Sequence, residues 1–234
     1  MHKLNRSSVQ RPTCLDSYDW HMQTWDTLSG QDKKMVRLSL QSMQGQQIVC
    51  DASDDKQHFI LGLRCGYCEG QIFHGGHIEH FRRKNAGHYP ELTFEWTNLF
   101  MACDSNEHCG HYKDRAGAPY DPDELIKPDE HDADLYLFFH SSGEVRVRSR
   151  VNASAQDRRR GDETIRVFHL NGGTLKGARH KALKQYLDGN TGILEALMGF
   201  EENDRNVFID EELEATKWQP FWTTIRHLFE TLHA

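Results

Sequence analysis

Two cysteine pairs, Cys65-Gly-Tyr-Cys68 and Cys103-Asp-Ser-Asn-Glu-His-Cys109, are separated by 34 residues. Zinc takes four thiolate or imidazole ligands in a tetrahedron, and a two-residue spacer lets both sulfurs of one knuckle reach the same ion. The second spacer is looser, which leaves His108 as an alternative to a cysteine. Four inert core thiols are the competing interpretation. A segment of about 60 residues buries little surface and needs a staple, so structural zinc is expected on Cys65, Cys68, Cys103 and Cys109. Cys14 and Cys50 have no partner at ligand spacing. The opening MHKLNRSSVQRP is too polar for a signal peptide, so a cytoplasmic location is expected, in which thiols stay reduced and disulfides are not formed.

The remaining pattern places three segments around this motif. Residues 1–57 form a helical preface, with Val36, Leu40 and Met43 at helical spacing. Residues 58–120 hold short strand-like pieces (HFILGL, QIFH, HIEHF), glycine-rich turns and the cysteines. In residues 121–234 an acidic stretch, DPDELIKPDEHDAD, reads as a linker or solvated loop. After it come a β-hairpin from LYLFFH and EVRVRSR, and then helices ending in WQPFWTTIRHLFETL. That final stretch carries Trp218, Phe221, Trp222, Ile225, Leu228, Phe229 and Leu232 as an apolar stripe, with Pro220 in its first turn.

The composition, 37% hydrophobic with a net charge of −7, is globular, and no apolar run approaches the ~18 residues of a membrane span. Charge is segregated: residues 141–160 hold six Arg against two acids, and 201–215 hold seven acids and one Arg. Such blocks are often only solvated faces, but a nucleic-acid ligand would need them, together with Arg82, Arg83 and Lys84, to attract phosphate.

Between the knuckles lie His77-Ile-Glu79-His80-Phe, Trp96-Thr-Asn98-Leu-Phe and Cys109-Gly-His111-Tyr-Lys113. Adjacent residues on a strand point in different directions, so Glu79 can face a metal while His80 faces a water. That pair suits phosphodiester hydrolysis. A hard cation on Glu79 grips the phosphate, neutral His80 takes a proton from the attacking water, and Asn98 braces the loop that carries His80. His74, His77 and His88 are bystanders in this scheme, with a supporting role open to His77.

In order and content, CGYC, HIEHF, WTNLF and the second cysteine pair with its trailing lysine resemble the HNH endonucleases over residues 65–113. LNRSSVQRPTCL, MQG and CGHYKD make the chain most similar to the PtuB-type HNH proteins of Septu and retron-associated anti-phage systems. The resemblance implies an α+β fold: a ββα-metal core with a four-cysteine zinc knuckle, between an N-terminal helical segment and a mostly helical C-terminal region. It assigns Glu79 to the acidic metal-ligand position, His80 to the general base and Asn98 to the bracing asparagine. Where the family commonly has His or Asn after the last cysteine, this chain has Gly110. The nearest residue able to bind a catalytic Mg²⁺ or Mn²⁺ is then His111.

The expected function is metal-dependent cleavage of DNA, with RNA or tRNA as the alternative substrate, in a defence complex with an ATPase subunit and without a membrane. Two other classes are a zinc-ribbon adaptor that does not cleave and a redox or zinc-storage thiol protein. The adaptor has no use for Glu79-His80 with Asn98, and a thiol protein would leave the histidines idle.

Overall fold

The computed structural model describes the chain apart from residues 53–54, 73–74, 116–118, 150–152 and 232–234, and apart from the side chains of residues 47–61. His74, Arg150, Leu232 and the Cys50 thiol therefore lie outside the described residues, as does half of the expected QIFH strand. The fold mixes helices with three two-stranded antiparallel sheets.

Helix α1 (Gly30–Gln44) begins where the Ser29 side chain accepts the Asp32 backbone N–H, and it buries Val36, Leu40 and Met43. Strands β1 (Gln46–Ala52) and β2 (Asp55–Leu61) form a hairpin that runs across the boundary expected at residue 57. The preface is thus one helix and several short 3-10 turns leading into a strand. Gln44, in the MQG stretch, is buried. Its amide donates to the carbonyls of Arg64 and Met101 and accepts the Met101 N–H, tying α1 to the central strands.

Strand β3 (His77–His80) pairs with β4 (Leu99–Ala102) in the register His77↔Ala102 to His80↔Leu99. Helix α2 (Cys109–Arg115) follows. Behind this unit Tyr67 stacks on Phe168 at 4.3 Å, and Phe81 and Phe100 meet edge to face. One hydrophobic cluster runs from Leu15 and Leu40 through Tyr67 and Phe100 to Phe139 and Phe168. The three expected segments share this interior.

The acidic stretch 121–134 is not a linker. Leu125 and Ile126 are fully buried within it, and Asp121 and Asp132 cap two short 3-10 turns with their side chains. Its acids therefore serve as local caps while the apolar pair enters the core. The hairpin forms as β5 (Leu137–Phe139) and β6 (Val145–Val147). Helix α3 (Ala155–Val167) starts with a reciprocal Ser154/Asp157 capping box.

Helices α4 (Gly173–Gly189), α5 (Ile193–Gly199), α6 (Glu202–Thr216) and α7 (Trp222–Thr231) complete the chain. They enclose a second cluster of Leu183, Tyr186, Ile193, Leu197, Ile209, Ile225 and Phe229. Helix α7 starts later than the stripe suggested, because Phe221 adopts a left-handed φ of 57° and its N–H is drawn to the Glu69 carbonyl. Trp218 and Pro220 therefore precede the helix. No helix among the described residues is long and apolar enough to cross a membrane.

Candidate metal and nuclease site

The four cysteines converge. Cys65 Sγ lies 3.8 Å from Cys109 Sγ, and Cys68 Sγ lies 4.0 Å from Cys103 Sγ. A zinc tetrahedron with ~2.3 Å bonds has sulfur–sulfur edges of about 3.8 Å, so the quartet fits that ion with little adjustment. Glu69, directly after Cys68, takes a left-handed φ of 63°, which closes the first knuckle. Its side chain is anchored by Thr223 and His2, offsetting that strain. His108 Nδ1 sits 3.2 Å from Cys109 Sγ, beside the quartet, and no cysteine is displaced by it.

Glu79 and His80 leave β3 in opposite directions. Glu79 turns toward α2. Its Oε1 lies 2.7 Å from Lys113 Nζ and its Oε2 lies 3.0 Å from His77 Nε2. Burial would raise its pKa, but the Lys113 ammonium and His77 hold it down to about 2. Lys113 is itself buried and also donates to the His80 and Phe81 carbonyls, so it clamps the end of β3 to α2 and is not available to phosphate. Gly110 makes this close packing possible: a Cβ there would stand 2.5 Å from the Glu79 carboxyl carbon.

His80 turns toward the N-terminal segment. Its ring meets Trp25 edge-on at 4.6 Å, and its Nε2 lies 3.0 Å from the Thr93 carbonyl. A carbonyl only accepts, so Nε2 carries the proton and Nδ1 holds the lone pair. Nδ1 has no partner among the described residues. Burial, reinforced by the nearby Lys84 charge, pushes the imidazole down to about 4, which keeps it neutral at physiological pH. Asn98 is buried, accepts the Arg82 N–H at 2.7 Å, and donates to the carbonyls of Arg82 and Leu92. It thereby pins both ends of the segment that runs on from His80.

His77 and His111, with Asp104, form a second group. The two rings stack at 4.0 Å, and His77 Nδ1 lies 3.1 Å from Asp104 Oδ1. Burial opposes charge on His77, but Glu79 and Asp104 together hold its pKa above the usual imidazole value. His77 also lines a cleft of about 560 Å³ with Trp25, Lys33, Lys34 and Arg37. Positions 30, 33, 34 and 37 of α1 share one helical face.

Five of the basic residues that the sequence emphasised are paired with acids. Arg82 pairs with Asp123 and Arg83 with Asp114. Arg146, Arg148 and Arg159 pair with Glu144, Glu230 and Glu124. Further positive charge comes from Lys84 near His80 and from Lys33, Lys34 and Arg37 of α1, the last donating to the Gly76 carbonyl at 2.9 Å. Asp104 and His111 did carry a signal, since each follows a cysteine ligand within two residues.

Comparison with known proteins adds no family: no family model matches the chain, and no curated protein matches it at a significant level.

Proposed function

We propose that this protein is a metal-dependent HNH-type endonuclease, built on a ββα unit of β3, β4 and α2 that is strapped by a four-cysteine zinc. The observation that carries the proposal is one four-residue strand. On one side it presents a neutral histidine with a free lone pair, and on the other a carboxylate–imidazole cluster beside a basic cleft. The zinc contributes structure when bound, by ligation to Cys65, Cys68, Cys103 and Cys109.

In the proposed reaction His80 Nδ1 accepts a proton from water while the water oxygen attacks phosphorus. The P–O3′ bond breaks, and the departing O3′ takes up a proton from solvent water, leaving a 5′-phosphate and a 3′-hydroxyl. Asn98 and the Thr93 carbonyl fix the orientation and tautomer of His80. Lys33, Lys34 and Arg37 hold the phosphate backbone. These contacts are to backbone only, so the substrate is a nucleic acid read without base recognition, DNA by family analogy and RNA or tRNA as the alternative. The expected Glu79–His111 ligand pair does not fit a catalytic ion as it stands, because both Glu79 oxygens are engaged.

That same Lys113–Glu79 pairing favours the second function, a zinc-ribbon adaptor that binds without cleaving. The resemblance to PtuB-type proteins supports a role as the effector of an anti-phage complex with an ATPase. Incubating the zinc-loaded protein, alone and with a co-expressed ATPase neighbour, with labelled DNA and total RNA in Mg²⁺ or Mn²⁺ tests this. Fragments with 5′-phosphates are expected, and binding without fragments under every condition assigns the adaptor.

A further inference from the structure

We infer that His77, Asp104 and His111 form a second metal site, selective for a borderline transition ion such as Co²⁺, Ni²⁺, Zn²⁺ or Mn²⁺ over Mg²⁺, with Glu79 orienting His77 from behind. This ligand set differs from the Glu79–His111 pair suggested by the motif, and it stands on geometry independently of the nuclease proposal.

Three separate elements supply the residues: the first position of β3, the loop after β4 and the first turn of α2. Their ligand-capable atoms lie within 4.8 Å of one another. A tetrahedral ion with ~2.0–2.1 Å bonds needs edges of about 3.4 Å, so side-chain rotations alone close the site.

Each residue is already set for ligation. His77 offers Nδ1 toward Asp104 while its Nε2 faces Glu79 at 3.0 Å. A metal-binding histidine almost always donates its other N–H to a carboxylate in this way, which fixes ring and tautomer. Glu79 is fixed in turn by Lys113, so the support extends two residues behind the ligand. Asp104, although exposed, is not loose: its Oδ2 accepts the Gly76 N–H at 2.7 Å, leaving Oδ1 turned to His77. Gly76 holds a φ of 82° there, and a Cβ would stand 2.6 Å from the Ile72 methyl, so the residue presenting that N–H has to be glycine.

Two imidazoles and one carboxylate are a borderline donor set. It suits transition ions and is poor for Mg²⁺, which prefers oxygen ligands and retains its waters. Neither His77 nor His111 is buried, which leaves coordination positions open to water or a phosphate oxygen. The two sites are also linked along the chain. Cys103 precedes Asp104 and Cys109 lies two residues before His111, so filling the cysteine site fixes the backbone that carries two of the three ligands.

The test is Co²⁺ titration of full-length, zinc-replete protein followed by visible absorption. One Co²⁺ per chain should bind with a nitrogen/oxygen ligand-field band and without thiolate-to-cobalt charge transfer, and excess Mg²⁺ should not displace it. His111→Ala and Asp104→Asn, both outside the buried core, should abolish that band while zinc content and fold are unchanged. Glu79→Gln should weaken binding by roughly 10- to 100-fold, the usual effect of removing a carboxylate behind a histidine ligand. His88→Ala should behave as wild type. No second ion in the wild type, or an unaltered band in both His111→Ala and Asp104→Asn, would overturn the inference.

Discussion

Both hydrophobic clusters bury aromatic rings, but what lies among the rings differs. Around β3, β4 and α2 the interior contains Glu79, His80, Asn98 and Lys113, all at most 5% exposed. Around α4 to α7 it is Leu183, Tyr186, Ile193, Leu197, Ile209, Ile225 and Phe229. Polar groups border that cluster: Asp134 meets Arg226 and buried His227, and buried Arg179 donates to the carbonyls of Gly143 and Leu170. Desolvated charge costs several kcal/mol per group unless it is paired in good geometry. The central unit offers little of its own against that cost: its ladder is four residues long and its helix seven. Elements this short do not stand alone. The chain therefore straps with cysteines the region that holds the buried Glu79–Lys113 pair, and leaves the helical cluster, with buried Arg179 and His227 at its border, to ordinary packing.

This contrast predicts unequal responses to damage. The largest is zinc removal. Structural zinc supplies ~10–16 kcal/mol of apparent binding energy in small zinc modules. Purified protein should carry about one zinc per chain, and chelation or Cys65→Ser should abolish near-UV signals from the central aromatics while much of the far-UV helical signal persists. A metal-free sample with intact tertiary signals would show that the cysteines are only core thiols.

Phe229→Ala should come next, opening a cavity in the helical cluster at about 3–5 kcal/mol, measured by urea unfolding. Zinc content should not change. A parallel loss of zinc would mean that the two regions unfold as one.

Asp134 gives a smaller, pH-dependent effect. Its carboxyl is partly buried, which raises its pKa, but His227 and Arg226 hold it at about 2 against an ordinary 3.8. A depressed carboxyl stabilises the fold above its unfolded value and loses that contribution as pH falls through its folded value. Asp134→Asn should thus cost about 2 kcal/mol at pH 5 and little near pH 2. A deficit independent of pH would remove the ion pair as its cause.

Smallest is a pair of glycine substitutions. Gly177 lies on the exposed face of α4, where a Cβ would meet nothing within 4 Å, so Gly177→Ala should raise stability by about 1 kcal/mol. Gly110→Ala should lower it by about 1–3 kcal/mol through the clash with Glu79. Thermal unfolding of the two variants should move in opposite directions.

The cysteine quartet was legible because ligand spacing is local and chemically specific. His77, Asp104 and His111 were not read as a group, since the last two lie 27 and 34 residues beyond His77 and only the β3–β4 ladder and the start of α2 bring them together. The basic cleft was missed because lysines on a helix face look alike whether or not a site lies opposite. In the acidic stretch, composition obscured Leu125 and Ile126. The aromatic stripe at the C-terminus packs within the chain, where Phe221 and Phe229 are buried and Trp222 Nε1 donates to the Leu213 carbonyl.

The most direct measurement is cleavage of labelled DNA and RNA by zinc-loaded wild type and His80→Ala, compared at equal zinc content and with divalent ion varied. A general base typically contributes ~10²- to 10⁴-fold. His80→Ala should lose that much, with no recovery at high Mn²⁺. Cleavage by His80→Ala at the wild-type rate would contradict a base on β3 and assign His80 to the packing around Trp25.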